Sequence, residues 1–275
     1  MSENTEYKSQ YQNIFEAAEK GSVEDVRFFV LHGENVNAED ENLGWTPLHR
    51  AASSNPDVDV LKYLVENGAK IDAKDWLATT PLHLAVEYNS NPNVSKFLIT
   101  QGADVNAKDN HDQTPLFFAA ASDLDIDVIK YMIEKGADIN AKDEDGWTPL
   151  HKAAEYHSNV DVLKYMIENG ADVNAKTSRN NLTLTHAAAS NANIGILAYL
   201  VEIDAIEVNV KTDNGMTPLH SASLNSNPEI LKYLLDLGSN VNTKNDEGKT
   251  PLDWADTEEK KAILLQAGGK YGNEL

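Results

Sequence analysis

The sequence contains no cysteine. That excludes disulfides, thiolate metal sites and cysteine nucleophiles, and it fits a reducing compartment. Basic residues are scarce: 23 lysines and arginines stand against 44 aspartates and glutamates, for a net charge of −21. A surface of that sign repels phosphate backbones and anionic membranes, so the expected partner is a protein with a basic face, not nucleic acid or membrane. No apolar run approaches the ~20 residues that a membrane span needs. Residues 1–12 hold neither a basic stretch nor an apolar one, so no secretory signal is expected and an intracellular, cytoplasmic location is. A phosphate loop, an HExxH pair and a nucleophile elbow are all missing, which points away from an enzyme and from any cofactor.

What is present is a repeat. Thr-Pro-Leu-His, or a near copy, begins at Thr46, Thr80, Thr114, Thr148, Thr183, Thr217 and Thr250, at intervals of 34, 34, 34, 35, 34 and 33 residues. A second marker, Gly-Ala-Asp-Val-Asn or a variant, runs from Gly68 to Asp72, Gly102 to Asn106, Gly136 to Asn140, Gly170 to Asn174 and Gly238 to Asn242. Such a fixed period marks a stack of supersecondary units, none of which can bury its apolar face alone.

Residues 80–113 show how one unit is specified. Thr80 caps a helix whose first residue is Pro81, where the missing N–H costs nothing. Leu82, Ala85 and Val86 give that helix an apolar face, and Asn91-Pro92 interrupts it. Val94, Phe97 and Leu98 form a second stripe, closed by the left-handed position of Gly102. Asp104 to Gln113 has no helical period and reads as a loop. Small residues at Ala51, Ala85, Ala119, Ala153 and Ala188 allow close approach of neighbouring layers.

These motifs resemble the ankyrin repeat family over roughly residues 11–268. The resemblance implies an all-α solenoid of stacked helix-turn-helix units with hairpin loops along one edge. It also implies a concave surface, lined by loop tips and first helices, that holds protein partners. The expected organisation is a flexible N-terminal tail (1–10), one domain of about eight helix pairs (11–268) and a C-terminal tail (269–275). Residues 11–41 would form the N-cap. Residues 248–268, with Glu258, Glu259, Lys260 and Lys261 on a polar outer face, would form the C-cap. The molecule is expected to be a monomeric protein-binding module; an inhibitor that blocks a basic enzyme or toxin would use the same surface.

The repeats at Thr46, Thr80, Thr114 and Thr148 carry one extra residue between their helices, which reads as a longer turn. The Thr183 repeat departs further: Leu184 replaces proline, and Ile203-Asp204-Ala205 replaces the helix-ending Gly-Ala-Asp. His49, His83, His151, His186 and His220 share one repeat position. Layers ~8–10 Å apart cannot bring such rings to one metal, and the resemblance gives them a bonding role between loops. Asp123, Asp125, Asp127 and Glu134 match four calcium-loop positions, but Val128 stands where the loop requires glycine. Tyr63, Phe97, Tyr131, Tyr165, Tyr199 and Tyr233 recur on the second helix as interlayer packing.

The remaining loop-tip and first-helix positions are where the resemblance places a partner. At the tips these are Trp45, Trp76, Leu77, Thr79, His111, Gln113, Trp147, Arg179 and Met216. On the first helices they are Arg50, Leu84, Tyr88, Phe118, Lys152 and Tyr156. The aromatics supply the stiff apolar area that interface hot spots favour. Trp76 is the most informative, because a tryptophan there has no evident structural use. Trp45 and Trp147 also suit bracing of their own hairpins.

Overall fold

The computed structural model describes residues 7–122 and 125–275, so Asp123 of the calcium-loop match lies outside the described residues. The chain divides into two compact units, residues 1–138 and 139–275. The first unit holds α1 (Ile14–Lys20), α2 (Val23–Leu31), α3 (Pro47–Ser54), α4 (Val58–Glu66), α5 (Pro81–Tyr88), α6 (Pro92–Thr100), α7 (Pro115–Ala121) and α8 (Ile126–Glu134). The second holds α9 (Pro149–Tyr156), α10 (Val160–Glu168), α11 (Leu184–Ser190), α12 (Ile194–Glu202), α13 (Pro218–Leu224), α14 (Glu229–Asp236), α15 (Pro251–Trp254) and α16 (Glu258–Gln266). Among the described residues there is no strand, only an isolated bridge between Lys176 and Thr183. Within each unit the odd-numbered helices pack side by side in one layer and the even-numbered helices in a second.

Each odd helix from α3 onward begins at a repeat threonine, and in five repeats the threonine is locked to a histidine. The N–H groups of Thr46, Thr80, Thr148, Thr183 and Thr217 donate to Nδ1 of His49, His83, His151, His186 and His220. Nδ1 is therefore the acceptor and Nε2 carries the proton. His49 Nε2–H then reaches the Thr79 carbonyl at 3.1 Å, and His83 reaches that of Gln113 at 3.1 Å. His186 and His220 reach the carbonyls of Met216 and Lys249, both at 3.2 Å. Each ring thus joins its own helix cap to the next hairpin.

Two irregularities follow from this link. In the Thr114 repeat Phe117 stands in the histidine position, and Thr114 Oγ1 is buried without a partner. The hairpin before Thr183 is one residue longer than the two before it, and His151 Nε2 is buried with no hydrogen-bond acceptor. Groups left so cost on the order of 1–3 kcal/mol each.

A second ladder runs through the turns between helices. Asn89 Nδ2 donates to the carbonyls of Ala52 and Asn55, and Asn55 to those of Ala18 and Gly21. In the second unit Asn191 donates to Ala154 and His157, and Asn225 to Ala189 and Asn191. These amides occupy carbonyls orphaned at the ends of the preceding first helices. In the last layer Lys260 takes the asparagine's place: it is buried, pairs with Asp256 and donates to the Asn225 carbonyl at 2.9 Å. It therefore does not belong to the polar outer face expected of the C-cap.

In the Thr46, Thr80 and Thr148 repeats the extra residue does not lengthen the turn but extends the first helix, whereas α7 of the Thr114 repeat keeps seven residues. α3, α5 and α9 have eight residues and α11 and α13 seven. The added position holds Ser54, Tyr88 and Tyr156. In the Thr183 repeat the core leucine, fully buried as Leu150 and Leu219 in its neighbours, is replaced by Thr185. Thr185 Oγ1 accepts from the Glu207 N–H, and a cavity of about 230 Å³ opens beside it, lined by Val173, Asn174, Lys176 and Ala205 among others. Asp204 adopts the left-handed backbone that glycine supplies elsewhere (φ +56°).

Described residues within the segments expected as tails bond to neighbouring helices. Tyr7 and Ser9 donate to Asp25 at 2.7 and 2.8 Å. Near the other end Gly272 N–H donates to Asp253 and Thr250 Oγ1 to the Lys270 carbonyl. Of the calcium-loop residues, Asp125 caps α8 and Val128 is buried in its apolar face. The second-helix aromatics reach the layer before them: Arg27 lies over Tyr63, Thr100 bonds Tyr131, and Lys164 lies over Tyr199.

Burial pushes all five imidazoles below their ordinary value, His151 and His186 to about 4. The unfolded chain then takes up protons more readily than the folded one. The stability these rings bring is complete above the ordinary value of 6.5 and is lost as pH falls from there toward 4. At pH 5, His151 and His186 are each expected to cost the second unit about 2 kcal/mol relative to pH 7. Urea unfolding at the two pH values checks this, and an unchanged midpoint would refute it.

Candidate protein-binding surface

With the repeat threonine as reference, four positions line open grooves: the residue before it and the fourth, seventh and eighth after it. In the first unit a groove of about 480 Å³ is bounded by Glu19, Trp45, Arg50, Ser53, Ser54 and Tyr88. In the second a smaller one, about 170 Å³, is bounded by Ser190, Met216, Ser221, Leu224 and Asn225. The recurrence has a helical cause: positions four, seven and eight lie on one face of the first helix, turned away from the core side marked by Leu48 and Ala51.

The aromatic tips fall into two groups. Trp45 and Trp147 are half-buried braces. Trp45 Nε1–H donates to Asp75 at 2.9 Å, and its ring stacks on His49. Arg50 lies 4.8 Å above the Trp45 ring and pairs with Asp40 at 2.7 Å and Glu19 at 3.8 Å. Burial alone would raise the Asp40 carboxyl, but bonds from the Leu43 N–H, Arg50 and the Asn42 N–H hold it below the usual range. Trp147 meets His151 edge-on, and Lys152 sits over it at 4.6 Å. Trp76 differs. It is 60% exposed, beside Leu77 at 54% and Leu43 at 41%. Its N–H donates to the Leu43 carbonyl, and its ring covers Gly44 so closely that a Cβ there would stand 2.5 Å from it. The three side chains make an exposed apolar ridge on two adjacent hairpins.

The other expected positions divide in the same way. Tyr88 and Tyr156 are exposed at 61% and 53%. Arg179 is exposed and pairs with Asp145 at 3.3 Å; His111 is exposed, and Met216 lines the smaller groove. Phe118 is half-buried, perpendicular to His83 at 5.5 Å. Thr79 and Leu84 are buried and cannot meet a partner; the carbonyl of Thr79 is already taken by His49. The carbonyl of Gln113 is likewise taken by His83.

The seventh position, overlooked in the sequence, holds Ser53, Glu87, Ala121, Glu155, Ser190 and Leu224. Three residues beyond the fourth position, it was predictable from the helical period. Burial pushes the Glu87 and Glu155 carboxyls up. A hydrogen bond to Glu87, aided by burial, raises the Tyr88 hydroxyl to about 12.

A family profile for ankyrin repeats in three copies matches residues 14–109, 82–177 and 184–268. The chain belongs to the ankyrin repeat family. Ankyrin repeats are a protein–protein interaction module, and no helix among the described residues is long and apolar enough to cross a membrane. Three curated relatives match shorter stretches. Ankyrin repeat domain-containing protein 40 of Mus musculus is 39% identical over 69 residues, 25% of this chain and 19% of its own. Protein phosphatase 1 regulatory subunit 27 of Mus musculus is 37% identical over 73 residues, 26% of this chain and 46% of its own. Its Homo sapiens counterpart is 40% identical over 60 residues, 22% and 38%. The matches thus span less than half the length of each relative.

The two groups of tryptophans should separate on mutation. Trp45→Ala loses the bond to Asp75 and the Arg50 stack and is expected to cost about 2–4 kcal/mol; Trp76→Ala, mostly in solvent, should cost about 1 kcal/mol or less. Chemical denaturation of both variants distinguishes them, and equal losses would contradict the assignment.

Proposed function

We propose that this protein is a non-catalytic, monomeric adaptor that binds a partner protein bearing a basic surface, through its hairpin tips and first-helix grooves. The observation that carries this reading is the exposed ridge of Leu43, Trp76 and Leu77 beside the Trp45–Tyr88 groove. It offers large apolar area that the fold does not consume, framed by carboxylates. Names of relatives as regulatory subunits of a phosphatase support a binding rather than catalytic role. Pre-formed loops lose little entropy on docking, and the acidic surface selects and steers a cationic partner.

The test is affinity capture by the native chain and by a variant carrying Trp76→Ala, Leu77→Ala and Tyr88→Ala. All three side chains are more than half exposed, so the variant should stay folded. A partner held by the native chain and lost at least tenfold by the variant is the expected result. Equal capture would place the binding surface elsewhere.

A further inference from the structure

α9 and the hairpin before it bring two aromatic rings, one cation and one carboxylate together. Lys152 Nζ lies 4.6 Å from the Trp147 ring centre and 5.3 Å from that of Tyr156. Glu155, three residues after Lys152 and one before Tyr156, shares their helix face. Its Oε2 is buried and has no hydrogen-bond partner among the described residues. A carboxylate oxygen in that state costs free energy until a donor reaches it. The Lys152 charge and a hydrogen bond with Tyr156 both act on the Glu155 carboxyl, yet its Oε2 receives no donor, so the slot has filled its aromatic half and left one oxygen of its acidic half unmet.

The combination suits one chemistry. A planar guanidinium stacks on an aromatic face while presenting paired N–H donors to a carboxylate in its own plane; an ammonium lacks that geometry. The net charge of −21 draws such a cation in. We infer that Trp147, Glu155 and Tyr156 form a recognition slot for an arginine side chain of a partner protein, and that Lys152 holds this slot in the free protein and is displaced on binding. Glu87-Tyr88 repeats the carboxylate–tyrosine pair at the same register in the first unit, two repeats earlier. The inference rests on the protein-binding reading and names the group that the partner presents.

The slot is tested in the full chain with Nα-acetyl-arginine-N-methylamide, and with its neutral citrulline counterpart, followed by NMR. The arginine compound is expected to move the Trp147 indole N–H and the amides of 152–156, and the citrulline compound to leave them in place. Lys152→Met, which vacates the slot, should tighten the arginine compound about threefold, and Glu155→Gln should weaken it about fivefold or more. In the native chain the compound should also lower the Glu155 carboxyl pKa, because a bound cation favours the charged form. Equal response to citrulline, no effect of Glu155→Gln, or an unmoved Glu155 titration each overturns the slot; the last reading needs no variant to fold. A chain that captures its protein partner yet ignores the arginine compound likewise removes the slot while leaving the adaptor role standing.

Discussion

The fold hangs on a single imidazole used from both sides. Nδ1 accepts from the N–H of the threonine that starts its helix, and that choice forces the proton onto Nε2, which bonds the next hairpin's carbonyl. Cap geometry, tautomer and interlayer spacing are therefore set by one residue per repeat. Charging the ring would fill the acceptor site with a proton, so the same bond that ties two layers together also makes them sensitive to acid. Where the link is broken, at Phe117 and at His151, the consequence is a buried polar atom without a partner.

That economy separates scaffold from surface. Threonine, histidine, the core leucine and the small alanine are spent on stacking, and the chain's Trp45 and Trp147 are partly spent on bracing the hairpins. What is left over lies at exposed positions such as Trp76 on its loop tip and Tyr88 and Tyr156 on the first helices. Variation there spares the stack, whereas the same register also holds buried Leu84 and, in the shorter repeats, the ladder residues Asn191 and Asn225.

Much of this was legible in the sequence because proline, threonine and glycine act locally. Pro47 and Thr46 start a helix whatever lies nearby, and Gly68 ends one through its own backbone freedom. What was not legible depends on a neighbour one layer away. Asn89 reads as a turn residue, and nothing local shows its amide spanning to Ala52 and Asn55. Lys260 reads as a solvent-facing charge until Asn225 is seen beneath it. The exposure of Trp76 was open to inference from its place in the loop, whereas the bracing of Trp45 rests on a bond to Asp75 one hairpin away.

The asparagine ladder gives the chain a direction. Asn55, Asn191 and Asn225 each donate backward to the layer before and offer their own carbonyl to the layer after. Any two regular layers thus present the same plug on one side and the same socket on the other. A segment of one full period can be duplicated or excised at the genetic level and the cut faces still mate, whereas a fractional cut leaves plug facing plug. Growth of such a protein is therefore quantised in whole repeats. The Thr183 repeat departs from that regularity: a 35-residue interval precedes it, and a cavity lies beside Thr185, where its neighbours bury a leucine.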